Sequence, residues 1–266
     1  MTQIIDTLGS WQYLKAPGIP ERCHELYTNF RKIFVNGLPT EVQSRLSFFF
    51  PGEEAKRDDD GLFHRADDRK WVIHVRPHTW PERQLPYLLM TKEDILRKAL
   101  GHRRFGPWFK EFLVWHHRAV EVFGEIYHLV EDFAAGIDKE TPEYQLVSAL
   151  RSAREKNVLR LIHYLPREVG EVVADPHRDF SLLTADCLTT LPGLCTTDQD
   201  HSLAGKQMIL EKAGHIVLFP GRKLEVVTAG RIEGLCHGVV STVKKPRGAV
   251  VAFFHGPGPM GASCPS

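Results

Sequence analysis

The sequence predicts an α+β fold in a single domain: a mainly helical N-terminal part over residues 1–156, a β-sandwich over 157–257 packed against it, and a short tail at 258–266. Three observations lead there. From Pro107 to Gly136, apolar residues recur at three- and four-residue steps (Phe109, Phe112, Leu113, Val120, Phe123, Tyr127, Val130, Phe133), which is one stripe of a long helix. After about residue 157 the texture changes to short strand-like runs separated by Gly and Pro, the spacing of a sandwich or barrel. The elements follow one another too closely to leave room for a linker.

Taken in order, "PERCHELYTNFRKIFVNG" has apolar residues at helical spacing and a glycine stop at Gly37. "PGEEAKRDDDG" is a solvated loop, and "KWVIHV" a strand. "TKEDILRKALG" opens on a Thr91 cap with acids in its first turn and closes at Gly101. A shorter helix runs through "PEYQLVSALRSAREKN". The strand candidates are "VLRLIHYL", "FSLLTA", "KQMILE", "HIVLFP", "KLEVVTA", "GLCHGVVST" and "GAVVAFFH".

Bulk composition narrows the function classes. Lys plus Arg number 34 against 33 for Asp plus Glu, so nothing suggests a nucleic-acid or membrane partner. Cys23, Cys187, Cys195, Cys236 and Cys264 are odd in number and lack Cys-x-x-Cys spacing, which argues against a disulfide framework or structural zinc and for a reducing compartment. The N-terminal stretch lacks the pattern of a signal peptide, and no apolar run approaches the ~18 residues of a membrane span. The expectation is a soluble cytoplasmic protein acting on a small molecule. Of the 14 histidines, His116 and His117 lie in the long helical pattern, and His74 and His78 sit on a strand that ends at Pro77, where i, i+4 spacing makes no ligand pair.

The stretch carrying chemistry is "PHRDF" at 176–180. A kinase-type catalytic loop needs an Asn five residues after the Asp, and Thr184 stands there. As a strand, the stretch turns His177 and Asp179 to one face, two arms of a metal clamp, with Arg178 pointing away. A third ligand must come from downstream, among His201, His215, His237 and His255. His237 has supporting context: Arg247 follows ten positions later, a planar fork for a carboxylate. Two His and one carboxylate on one face of an iron leave the other face for oxygen and an organic chelator.

Here the chain resembles the isopenicillin N synthase-like branch of the iron(II)/2-oxoglutarate-dependent oxygenases. That pattern is His-x-Asp, a gap of fifty-odd residues, His, then Arg-x-Ser ten residues on. This sequence has "HRD", 57 intervening residues (positions 180 to 236), "CHG" and then "RGA". "LRLIHYLP" matches the strand Arg-x-Asn-Tyr-Tyr-Pro upstream of the clamp, "PGL" a Gly-Leu in its middle, "KLEVVTAGRIEGLCH" the approach to the last histidine and "VVAFF" the strand after the arginine. The match covers about residues 157–257, and "FRKIFVNGLP" is the nearest echo upstream.

The resemblance implies a double-stranded β-helix, or jelly roll, with Fe(II) held by His177, Asp179 and His237. It implies 2-oxoglutarate as cosubstrate, its far carboxylate on Arg247 with a hydrogen bond from Tyr164, and O2 as oxidant. The reaction is then hydroxylation of an unactivated C–H bond, or its desaturating or ring-closing variants. Arg76 and Phe254 are the expected substrate contacts. Three positions depart from the pattern: Ala249 stands for serine, removing a hydrogen bond worth ~1.5–3 kcal/mol to a charged group, Gly238 for a common arginine and Ile162 for asparagine. Two alternatives stay open: an iron oxidase that uses no 2-oxoglutarate, and a non-catalytic jelly-roll binding module.

Overall fold

The computed structural model describes residues 10–39, 61–65, 69–76, 93–197 and 206–257. Thr91, His78, His201, Cys264, the loop at 52–60 and the tail at 258–266 lie outside these residues.

Strands β1 (Gln12–Lys15), β2 (Gly61–Arg65), β3 (Lys70–Val75), β4 (Val158–Tyr164), β6 (Leu183–Thr189), β8 (His215–Pro220) and β10 (Arg247–Phe254) form a seven-stranded sheet in the order β1-β8-β6-β10-β4-β3-β2. Strands β5 (Val172–His177), β7 (Leu194–Thr196) and β9 (His237–Val240) form a second sheet, β5-β9-β7. Every pairing between them is antiparallel. The helices are α1 (Ile19–Phe30), α2 (Glu93–Leu100), α3 (His102–Glu140), α4 (Leu146–Ser152) and α5 (Arg222–Val227).

Period-2 alternation divides the core in two. On the outer face of the large sheet, Leu159, Leu161, Leu183, Ala185, Val250 and Ala252 meet the apolar stripes of α1 and α3, including Phe30, Trp115, Phe123 and Tyr127. On the inner face, Val72, Ile162, Phe219 and Ala249 meet Val173, Leu194 and Val239, one from each strand of the small sheet. Helix α1 approaches β10 so closely that a Cβ added at Gly248 would lie 2.1 Å from the Tyr27 ring, so position 248 accepts no side chain. That ring is pinned, because the Tyr27 hydroxyl is bonded to His163 Nδ1 at 2.7 Å.

Among the described residues before 157, α1 to α4 fall on the segments read as helices, while β1, β2 and β3 join the large sheet. The long helix runs further than its stripe predicts, starting five residues before Pro107 and ending four after Gly136. "PEYQLVSALRSAREKN" is one α-helical segment between two short 3-10 turns. Two strand expectations change. "KLEVVTA" forms helix α5, because the backbone N–H groups of Arg222 and Lys223 bond back to the carbonyls of Asp179 and Ser181 (2.7 and 3.0 Å). Gly221 permits that approach, since a Cβ there would lie 2.1 Å from the Ser181 carbonyl oxygen. "KQMILE" makes a single bridge, Met208 to Cys195, rather than a strand. Strand β5, which sequence alone did not single out, is an edge strand with two register shifts, where Pro176 and its missing N–H are tolerated.

Buried histidines give a testable pH dependence. Burial pushes His163 down to about 4 and His116 down to about 4. Between those values and the unfolded value near 6.5, the unfolded chain binds protons that the folded chain does not, so stability falls as pH drops through that window. Each group contributes up to ~1.4 kcal/mol per pH unit. Denaturant midpoints at pH 6.5 and 5.0 should therefore differ by more than a kilocalorie-per-mole equivalent; identical midpoints would mean the two histidines are solvated.

Candidate metal centre

His177 and His237 are direct cross-strand partners on β5 and β9, with ring centroids 4.6 Å apart. Asp179 does not come from the strand. Strand β5 ends at His177, and Asp179 lies beyond it in the loop that α5 fastens through the Asp179 carbonyl. The strand-alternation argument is thus corrected: a turn, not the pleat, brings the carboxylate to the imidazoles. Asp179 Oδ1 lies 3.5 Å from His177 Nε2, and Oδ2 lies 3.7 Å from His237 Nε2. One donor atom from each of the three residues falls within 4.8 Å of the others, and among the described residues no other group of three such side chains does this.

The other ring nitrogens face backbone carbonyls. His177 Nδ1 lies 2.7 Å from the Asp175 carbonyl oxygen, and His237 Nδ1 lies 3.2 Å from that of Leu235. A proton on each Nδ1 donates to the carbonyl and leaves each Nε2 lone pair directed at the Asp179 carboxylate, the arrangement of a metal-ligating histidine. The Thr184 hydroxyl donates to Asp179 Oδ2 at 2.8 Å and is itself 2.7 Å from the Ser181 hydroxyl. Burial alone would raise Asp179, yet the His237 and His177 charges and the bonds from His177 and Thr184 hold it well below the usual carboxylate range. Burial lowers His237, with the Asp179 charge working the other way. For His177, burial is outweighed by the hydrogen bond and charge of Asp179, and its proton affinity is raised. Asp179 and His237 are buried while the His177 side chain is half-exposed, so the cluster is open on the His177 side.

These residues line a cavity of about 110 Å3 between the sheets. Its wall on the large sheet is a grid of register rows: Lys70, Tyr164 and Arg247; then Val72, Ile162 and Ala249; then Arg160, Val251 and Asp186. Arg247 and Tyr164 are buried directly across from each other, with the guanidinium carbon 5.5 Å from the ring centroid. Arg247 donates from Nε to the Leu191 carbonyl (3.1 Å) and from Nη2 to the Thr189 hydroxyl (3.0 Å).

The two expected substrate contacts fall elsewhere. Phe254 points to the outer face, fully buried against Phe123 and Tyr127, and its neighbour Phe253 walls the cavity. The parity of β10 decides this: residues sharing a face with Arg247 are odd-numbered. Arg76 follows β3 and does not line the cavity; Arg160 does, donating from Nε to His74 Nε2 at 2.6 Å and lying over the Phe253 ring at 4.5 Å. Arg178 turns toward Glu225 and Glu233. His215 and His255 take no part in the cluster. Thr184, Asp186 and Thr189 were not singled out from sequence. A signal for Thr184 and Asp186 was there in "LTAD", where polar residues alternate with apolar ones, but Thr189 breaks that alternation.

No protein-family model and no curated protein matches the chain. Solved structures do. The dioxygenase for auxin oxidation of rice aligns with TM-score 0.65 at 14% identity, over 96% of this chain and 77% of that one. The Arabidopsis thaliana dioxygenase for auxin oxidation 1, in complex with 2-oxoglutarate, aligns with TM-score 0.61 at 14% identity, over 96% and 87%. T7H of Neurospora crassa, in complex with alpha-KG, aligns with TM-score 0.65 at 19% identity, over 95% and 75%. At these identities the likeness is one of fold, and it spans nearly the whole chain.

Proposed function

We propose that this protein is an Fe(II)/2-oxoglutarate-dependent oxygenase that oxidises an unactivated C–H bond of a small organic substrate. The observation that carries the reading is the pairing of two features that line one cavity: a His-Asp-His cluster and a buried arginine. The two facing sheets read as a double-stranded β-helix, with residues 1–156 and 157–257 as parts of one domain.

The donor set suits the metal. Two neutral imidazole nitrogens and an ionised carboxylate are a donor set that would suit ferrous iron as a facial triad. Held there, the metal and the keto acid would supply the chemistry of O2 activation, with 2-oxoglutarate as the two-electron reductant that leaves as succinate and CO2. The protein's own residues hold and orient. His177, Asp179 and His237 bind the metal, and Thr184 fixes the carboxylate. Arg247 takes the far carboxylate of the keto acid, with Tyr164 beside it. Val72, Ile162, Phe219 and Val239 keep water from the space between. Arg160, rather than Arg76, is the cation on the substrate side, its charge close enough to oppose protonation of His177. Small substrates accord with a neighbour of this fold, since N. crassa T7H has also been crystallised with thymine. Among the described residues, Cys23, Cys187, Cys195 and Cys236 form no disulfide.

Anaerobic titration of the Fe(II)-loaded protein with 2-oxoglutarate should produce a weak visible charge-transfer band that saturates at one equivalent. In Arg247→Ala the midpoint should rise at least ~10-fold, the loss of a charge-assisted hydrogen-bonding partner. Iron uptake with no band would point to the oxidase alternative, and failure to take up iron would leave a binding module.

A further inference from the structure

One carboxyl group in the cavity has no part in the metal cluster. Asp186 projects inward from β6, and a register shift in the β6–β10 ladder decides what it meets. Val251 pairs with Asp186 and Val250 with Leu188, so Cys187 is an extra residue in β6. Asp186 lines the cavity and Thr184, bonded to Asp179, shares its face of the sheet; after the bulge that face falls to Thr189 instead of Leu188. Thr189 then lies directly across from Ala249, which has no polar side chain. Its hydroxyl accepts from Arg247 Nη2 at 3.0 Å and donates to Asp186 Oδ2 at 3.1 Å. A carboxyl group and the buried guanidinium are thus one hydroxyl apart.

The surroundings of Asp186 hold further charge. Glu211, just before β8, accepts the Thr189 backbone N–H. From β10 the facing charge is Arg247; β8 offers Val217 as register partner, and β10 offers Val251, neither titratable. Lys70, Arg160, His177, Asp179 and His237 line the same cavity from other elements. Burial raises Asp186 to about 6, against the Arg247 charge and the Thr189 bond and with the Glu211 charge adding to the rise. Burial raises Glu211 as well.

A keto diacid anchored on Arg247 brings a further carboxylate to this place. Carboxylates crowded in a buried site do not all stay ionised, and the one that takes a proton becomes a hydrogen-bond donor. Resting on the assignment of Arg247 to the cosubstrate, we propose that Asp186 is a cosubstrate-binding residue that acts as a carboxylic acid. It takes one proton from solvent as 2-oxoglutarate binds and donates it in a hydrogen bond to the carboxylate held by Arg247. Thr189 supplies, from the neighbouring strand, the hydroxyl that Ala249 lacks.

The test is calorimetric titration of Mn(II)-saturated protein with 2-oxoglutarate at pH 7.5, in two buffers of different ionisation enthalpy. Wild-type protein should take up close to one proton per ligand, and its Kd should weaken by up to ~10-fold per unit from pH 6.5 to 8. Asp186→Asn should take up none, with a flat profile, while Glu211→Gln should keep the uptake. Zero uptake by wild-type protein overturns the proposal without any variant. So does uptake that survives in Asp186→Asn or is lost in Glu211→Gln. Binding of 2-oxoglutarate without proton uptake leaves the oxygenase reading standing, whereas no binding anywhere between pH 6 and 8 removes both.

Discussion

Asp179→Asn is expected to abolish metal uptake and turnover while leaving the metal-free fold almost unchanged. Asp179 is the residue against which both imidazoles are set, Oδ1 toward His177 and Oδ2 toward His237. An amide keeps the volume and still offers an oxygen to the Thr184 hydroxyl, now 2.8 Å from Oδ2, so no buried donor loses its acceptor. What disappears is the negative charge that draws a cation into a buried site. The loss in metal affinity should exceed the ~10–100-fold that removal of an outer-shell partner costs. Fe(II) binding, followed by succinate release with any turned-over substrate, checks the first half, and thermal unfolding of metal-free protein the second. Wild-type metal affinity in Asp179→Asn would end the assignment of this cluster as the metal centre. Asp179→Ala should lose metal equally but also leave one donor of the Thr184–Ser181 hydroxyl pair without an acceptor, at ~1–3 kcal/mol.

Phe254→Ala should be the most damaging of the single truncations in β10. The ring is fully buried, stacked on Phe123 at 5.8 Å and tilted against Tyr127 at 6.2 Å, where the large sheet meets α3. Truncation to Ala in such a place costs ~3–5 kcal/mol, which lowers Tm by about 10 °C in a chain of this size. Metal affinity in the folded variant should stay unchanged. Phe253→Ala, one residue earlier, should show the reverse emphasis. Its ring walls the cavity and carries the Arg160 guanidinium at 4.5 Å, so the variant should disturb ligand binding more than stability. If Phe254→Ala left Tm unaltered and weakened ligand binding, the face assignment of β10 would be wrong.

The adjacent phenylalanines show where sequence stops. In "VVAFF" every residue is apolar, so alternation is invisible and nothing local says which ring faces the cavity. Pairing decides it, through the register that sets Arg247 against Tyr164 and carries the odd-numbered residues inward. "KLEVVTA" is a similar case. Its composition suits a strand, and it becomes a helix because its first N–H groups find the carbonyls of Asp179 and Ser181, some forty residues upstream. The edge strand β5 escaped notice because Pro176 breaks the local pattern and the sheet tolerates it only at an edge.

The sequence by itself supplied the expectation of helical segments before residue 157 and short strands after it, and the ordered spacing of His177, Asp179, His237 and Arg247. Those are matters of local period and of residue type at fixed spacing, and both are written along one strand of text. The tertiary structure alone decided which polar groups share the cavity. The bulge at Cys187 turns Thr189 inward beside Arg247, and the loop held by α5 carries Asp179 to its imidazoles. Such outcomes depend on one extra residue in a ladder and on hydrogen bonds to distant carbonyls. Neither leaves a mark in the pattern of a single segment, because each is a property of two segments once they have met.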